Sequence, residues 1–166
     1  FASADTNSFG LIDIGSKSAP AFADLDGDGD LDLISGEDKG DFYYFQNVGT
    51  RTAPQFAAPI KNPFDLTNVG FRSAPSLGDL NGDGDLDLIS GNSSGDFKYF
   101  EENPSFAPVT VNPFGLTGVG FFSTASFADL NNDGDLDLIS GQKGPPGTNP
   151  GLYRYFQNNG TVSTPA

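Results

Sequence analysis

Hydrophobic positions along the chain fall into short runs that return three times in the same order. PAFADL (20–25), PSLGDL (75–80) and ASFADL (125–130) each predict a strand. The apolar end of DLDLISG, with Leu31, Leu33 and Ile34 and their counterparts, predicts a second. DFYYFQN, DFKYFEE and LYRYFQN predict a third, in which Phe42 and Tyr44 alternate with Tyr43 and Phe45. PQFAAPI, PSFAPVTV and the N-terminal FASADT offer a fourth. Pro and Gly separate these runs, and no helical period bridges them.

Aligning Asp24, Asp79 and Asp129 sets the copies 55 and then 50 residues apart, and the neighbours agree on both sides. Phe1 aligns with Phe56 and Phe106, which divides the chain into repeats 1–55, 56–105 and 106–166. The third copy carries an extra stretch, QKGPPGTNPG (142–151), in place of EDKG and NSSG. Four short strands in about 50 residues is the spacing of a propeller blade. A β-sandwich is the competing all-β arrangement, and threefold repetition favours blades. The expected fold is an all-β, propeller-like array of three four-stranded blades.

Composition narrows the chemistry. The chain lacks Cys and His, which removes disulfides, thiolate chemistry, and the commonest general base and zinc ligand. Its net charge of −14 argues against binding nucleic acid or anionic membranes by charge. No apolar stretch is long enough for a membrane-spanning helix, so membrane insertion is not expected. The acids are clustered: 13 of the 22 lie in 24–32, 79–87 and 129–137. Carboxylates packed this closely repel one another unless a cation sits among them.

Within DLDGDGDLD, oxygen side chains occupy positions one, three, five and nine: Asp24, Asp26, Asp28 and Asp32. Gly29 stands at six, and Asp30 at seven can offer its carbonyl. This is the ligand order of an EF-hand loop, suited to Ca²⁺ as a hard cation that takes six to eight oxygens. The second loop offers Asp79, Asn81, Asp83, Asp85 and Asp87; the third offers Asp129, Asn131, Asp133, Asp135 and Asp137. Asn at position three removes one charge, so loops two and three are expected to bind more weakly. A true EF-hand is excluded, because Ser35, Ser90 and Ser140 stand where a bidentate Glu belongs and LDLISG is too short for a helix.

SAPAFADLDGDGDLDLISG and its sister copies resemble the FG-GAP or VCBS repeat, a calcium-binding blade related to integrin α-chain propellers. The resemblance implies four-stranded blades, three Ca²⁺ sites in the turns between first and second strands, and an extracellular or cell-surface setting. The family's upstream phenylalanine motif is loosely met by SFGL, PFDL and PFGL. If the family strand order holds, residues 1–7 are an outermost strand without a blade, and the third blade lacks its outermost strand. Pairing between chains would satisfy both, so a homo-oligomer is expected, as a closed ring or a head-to-tail filament. The alternative is a fragment of a longer array.

Outside the loops no pair of acids recurs in a way that suggests catalysis, and the expected function is non-catalytic adhesion or self-assembly. A calcium-dependent lectin is the alternative, with Tyr43, Lys98 and Arg154 at one variable position and 142–151 as a variable loop. A glycan or a surface protein would then be the partner. Asn92-Ser93-Ser94 and Asn159-Gly160-Thr161 match the N-glycosylation pattern.

Overall fold

The computed structural model describes residues 3, 5–102, 106, 108–144 and 151–160. Three antiparallel sheets follow one another along the chain and do not close into a ring. Blade 1 is β1 (Ala19–Ala23), β2 (Asp32–Gly36), β3 (Phe42–Phe45) and β4 (Ile60–Lys61), in that spatial order. Blade 2 repeats it with β5 (Ala74–Gly78), β6 (Asp87–Gly91), β7 (Phe97–Phe100) and β8 (Thr110–Val111). Blade 3 has three strands among the described residues: β9 (Phe121–Ala128), β10 (Asp137–Lys143) and β11 (Gly151–Phe156). Strand β1 approaches β5, and β5 approaches β9, which places the first strands innermost. Among the described residues the one helical turn is a 3₁₀ segment, Ser8–Gly10.

The fourth strands are shorter than the apolar runs that predict them. Pro59 and Pro63 bracket Ile60–Lys61, and Pro lacks the N–H a ladder needs, so pairing lasts two residues. Phe56 and Phe106 make isolated bridges to Asn47 and Glu102 instead of extending a strand. Asp5 and Thr6, part of the expected N-terminal strand, lie outside any strand, while residues 1, 2 and 4 are not among those described. Most of the 142–151 loop and residues 161–166 also fall outside the description.

The central strand of each blade explains why LISG reads as a continuous apolar run. Every residue of β2 and of β6 is buried, because both faces of the sheet are covered. Leu33 and Ile34 therefore point opposite ways. Ile34 joins Phe42, Leu66, Val69, Leu88 and Phe100 between blades 1 and 2. Leu33 packs with Phe45 and Phe56 on the other side. Between blades 2 and 3, Ile89, Phe97, Tyr99, Val119 and Leu138 form the matching cluster. Phe42 meets Phe100 edge-on at 6.0 Å, and Phe97 meets Phe156 edge-on at 6.1 Å. Each buried Phe contributes roughly 2–3 kcal/mol.

Polar contacts fix the spacing between blades. Ser73 Oγ accepts the Glu37 N–H at 2.9 Å and donates to the Asp41 carbonyl at 2.7 Å. Ser123 does the same with Asn92 and Asp96, at 2.9 Å each. The Val69 and Val119 N–H groups donate to the carbonyls of Gly40 and Gly95, both at 3.0 Å. Such close backbone approach leaves no room for side chains. A Cβ on Gly95 would lie 1.6 Å from the Gly120 carbonyl oxygen, at a φ of +87°. Gly95→Ala is therefore expected to cost about 3 kcal/mol, near 10 °C in Tm. Gly27→Ala, also at positive φ but facing open space, should cost about 1 kcal/mol. Thermal unfolding followed by circular dichroism separates the two, and equal losses would refute the close-approach account.

Candidate metal centres

Each acidic loop begins directly after the innermost strand and ends at the next one. Asp24 and Leu25 belong to the loop and not to the strand, which stops at Ala23. Gly29, Gly84 and Gly134 adopt φ of +91°, +98° and +95°, the left-handed turn that position six demands.

The first carboxylate organises the backbone around itself. Asp24 accepts N–H bonds from Gly27 and Gly29, both at 2.9 Å. Asp79 accepts the same pair from Gly82 and Gly84 at 2.6 and 3.1 Å. Asp129 accepts from Asp133 and Gly134 at 3.1 and 3.0 Å. The carboxylates at positions three and five then accept the N–H two residues onward: Asp26 from Asp28 at 3.2 Å and Asp28 from Asp30 at 2.9 Å. As a result Asp24, Asp26 and Asp28 each place one oxygen within 4.8 Å of the others. In loops two and three the Asn81 and Asn131 side-chain oxygens accept the Asp83 and Asp133 N–H at 3.0 and 2.9 Å, holding the same turn.

The acid at position nine is set apart. Asp32, Asp87 and Asp137 are closed to water at the start of the second strand. Asp32 accepts the Leu25 N–H at 3.1 Å, the Asn47 N–H at 2.7 Å and the Tyr44 hydroxyl at 3.0 Å. It ties the loop entrance, the third strand and the exit of that strand to one carboxylate. Asp87 repeats this with Leu80, Glu102 and Tyr99, and Asp137 with Leu130, Asn158 and Tyr155. Burial pushes the Asp32 and Asp87 carboxyls above the usual range, and their hydrogen bonds pull back only partly. The Tyr44 and Tyr99 hydroxyls are pushed well up, first by burial and then by the partner carboxylate. Asp137 behaves oppositely. The Asn158 N–H bond, the largest influence on it, lowers its carboxyl.

Asp30, Asp85 and Asp135 at position seven take no part in these side-chain contacts with the loop core beyond donating their N–H groups, at 2.9, 3.0 and 3.0 Å. Three neighbours that sequence spacing does not reveal also touch the loops. Gln46 donates to Asp26 at 2.7 Å, and at the same repeat position Glu101 accepts from Asn81 at 3.2 Å. Glu101 thus returns to loop two the charge that Asn81 removes. Arg51 donates to the Gly29 carbonyl and closes the first loop from outside.

The pattern of the FG-GAP-like repeat matches residues 24–90 and 79–140, the span of all three loops. The chain belongs to that family. FG-GAP repeats are usually non-catalytic modules, and no enzyme family matches. Among curated proteins, comparison finds no match to the chain. The donor set of this FG-GAP chain suits a hard cation: carboxylate and amide oxygens around a tight turn, with no nitrogen or sulfur ligand among them.

The other positions singled out from the sequence are not gathered into one site. Tyr43, Lys98 and Arg154 lie on separate blades, each opposite a serine: Ser35, Ser90 and Ser140. Asp41 and Asp96 lock the next repeat in place by accepting from Asn62 and Asn112 at 3.0 and 3.2 Å. Asn92 is buried, donates to the Val69 carbonyl at 2.9 Å and accepts from Ser94 and Asp96. It is no glycan acceptor in the folded chain. Asn159 is exposed, but Thr161 of its motif lies outside the described residues.

Proposed function

We propose that this FG-GAP chain is a non-catalytic, Ca²⁺-stabilised extracellular module for adhesion or self-assembly. The observation that carries this is the division of labour within each loop. In the first loop the rim oxygens of Asp24, Asp26 and Asp28 converge, while in all three loops the acid at nine welds the loop to its blade. An ion bound at the rim would relieve the repulsion among these acids and stiffen the blade edge. Asp24, Asp26 and Asp28 would hold it in blade 1, with Asp79, Asn81 and Asp83, and Asp129, Asn131 and Asp133, in the same roles. Position seven contributes through its backbone carbonyl. Calorimetric titration with Ca²⁺ is expected to find three sites, and a chain that takes up no Ca²⁺ would refute this.

Charge ranks the sites differently from the sequence expectation. With Glu101 beside Asn81, the second site matches the first in charge, and the third is the weakest. Glu101→Gln should weaken the second site by about three- to tenfold and leave the other two unchanged. Equal affinities for wild type and variant would exclude Glu101 from the site.

A lectin is the second reading. It draws on a cavity of about 300 Å³ between blades 2 and 3, lined by Phe114, Phe127 and Phe156 with Asp79 and Asn158 at its polar side. Aromatic faces beside polar groups suit a sugar. Glycan-array binding that disappears with chelator would favour it, and silence across a broad array would leave the module reading alone.

A further inference from the structure

The first and second copies differ in length at one place. Ten residues, 46–55, separate Phe45 from Phe56, whereas five, 101–105, separate Phe100 from Phe106. The longer connection folds into a tight turn of its own. The Val48 N–H donates to the Gln55 carbonyl at 2.8 Å, and Thr50 and Ala53 exchange backbone bonds at 3.1 and 3.0 Å. Asn47 Oδ1 holds both legs, accepting the Gly49 and Gln55 N–H groups at 3.0 Å each. The turn carries Arg51 to the first acidic loop. Arg51 Nε donates to the Gly29 carbonyl at 3.2 Å, and a terminal nitrogen donates to the same oxygen.

Among the described residues Arg51 enters no ion pair, and its hydrogen bonds all go to that one carbonyl. Its charge stands beside the rim acids without belonging to any one of them. The tether is not what forms the turn. Gly29, Gly84 and Gly134 share a left-handed φ, and in all three loops the carboxylate at position one accepts the N–H at position six. Loops two and three reach this geometry without an arginine. The second copy has EENPS in the connection, with no basic residue, and in the third GTRTAPQ becomes GTVSTPA, with Val162 in place of Arg51. What Arg51 adds is charge, and it adds it to the most acidic loop: five Asp in 24–32, against four in 79–87 and four in 129–137.

We infer that Arg51 is a built-in counter-ion that sets the Ca²⁺ affinity of loop one, holding it below that of loop two. The inference rests on the Ca²⁺ reading above. In the empty loop the guanidinium offsets part of the repulsion among the acids, which is the work an ion would otherwise do. In the filled loop it faces a doubly charged ion and repels it. Both effects act against binding. Asp24, Asp26 and Asp28 at the first site are matched in number by Asp79, Asp83 and Glu101 at the second, so Arg51 decides their order. The second site fills before the first.

The test is a Ca²⁺ titration of the 166-residue chain followed by NMR at low salt, where surface charges are least screened. The N–H signals of Gly29, Gly84 and Gly134 report loops one, two and three separately. In wild type the Gly84 signal should reach its midpoint at several-fold less Ca²⁺ than that of Gly29. Arg51 is exposed, so its substitution leaves the core untouched. Arg51→Gln keeps a donor without the charge, Arg51→Val removes both, and Arg51→Lys keeps the charge. Arg51→Gln and Arg51→Val should each tighten loop one about three- to tenfold. Loops two and three should not change, and Arg51→Lys should stay near wild type. Arg51→Gln should also melt below wild type in chelator and gain more from added Ca²⁺. A Gly29 midpoint that is unchanged or weaker in Arg51→Gln overturns the inference. So does an Arg51→Val chain whose loop one binds more weakly, because the tether would then outweigh the charge. Glycine signals that ignore Ca²⁺ in every variant overturn the calcium reading itself, and the role of Arg51 with it.

Discussion

Chelation of Ca²⁺ is expected to lower the melting temperature by roughly 20 °C. Each site held at about a hundred times its dissociation constant contributes about 2.7 kcal/mol, and three sites sum to about 8. For a chain of this length each kcal/mol shifts Tm by about 2–4 °C. The physical origin is the loop rim, where backbone N–H groups hold the side chains at positions one, three and five, bringing Asp24, Asp26 and Asp28 close together in the first loop. Carboxylates repel one another at all three positions in loop one and at positions one and five in loops two and three, and on the proposed reading a divalent ion offsets that repulsion. Differential scanning calorimetry in excess chelator, with Ca²⁺ and then Mg²⁺ added back, measures this. Mg²⁺ should restore little, because it demands octahedral geometry and keeps its waters. An unchanged melting curve in chelator would overturn the role of the loops.

Asp87→Ala should be the most damaging loop substitution, at about 4 kcal/mol. The carboxylate accepts from the Leu80 and Glu102 N–H groups at 3.0 and 3.2 Å and from the Tyr99 hydroxyl, all around a fully buried position. Alanine would leave these donors unsatisfied. The loss should persist in chelator, since the network is made of protein groups. Asp83→Ala offers the contrast: its side chain lies at the exposed rim, so its cost should vanish once Ca²⁺ is removed. If Asp87→Ala were harmless in chelator, the position-nine acid would be a ligand and nothing more.

These two acids look alike in DLNGDGDLD, and that is where the sequence stops short. Period, loop and central strands are legible because each depends on local spacing: Asp at alternate positions, Gly at six, Leu-Ile between turns. The role of Asp87 depends on Tyr99 and Glu102, partners 12 and 15 residues away that no short window contains. Glu101 is hidden for the same reason, since its link to Asn81 is made across 20 residues. The fourth strand is overread because PQFAAPI has the composition of a strand. Its prolines withhold N–H groups, and pairing is confined to an isolated bridge at Phe56 and the two residues Ile60–Lys61. The Asn92 motif misleads because a three-residue pattern carries no information about burial.

Blade 1 is completed by Ile60–Lys61, which lie in the second sequence repeat, and blade 2 by Thr110–Val111, which lie in the third. On the ribosome this offset staggers folding. A sheet cannot gain its outer edge until the opening residues of the following copy have left the exit tunnel. Those same residues lead straight into the segment that caps the finished sheet. Synthesis and packing therefore proceed in one direction, and each unit is sealed by the arrival of its successor.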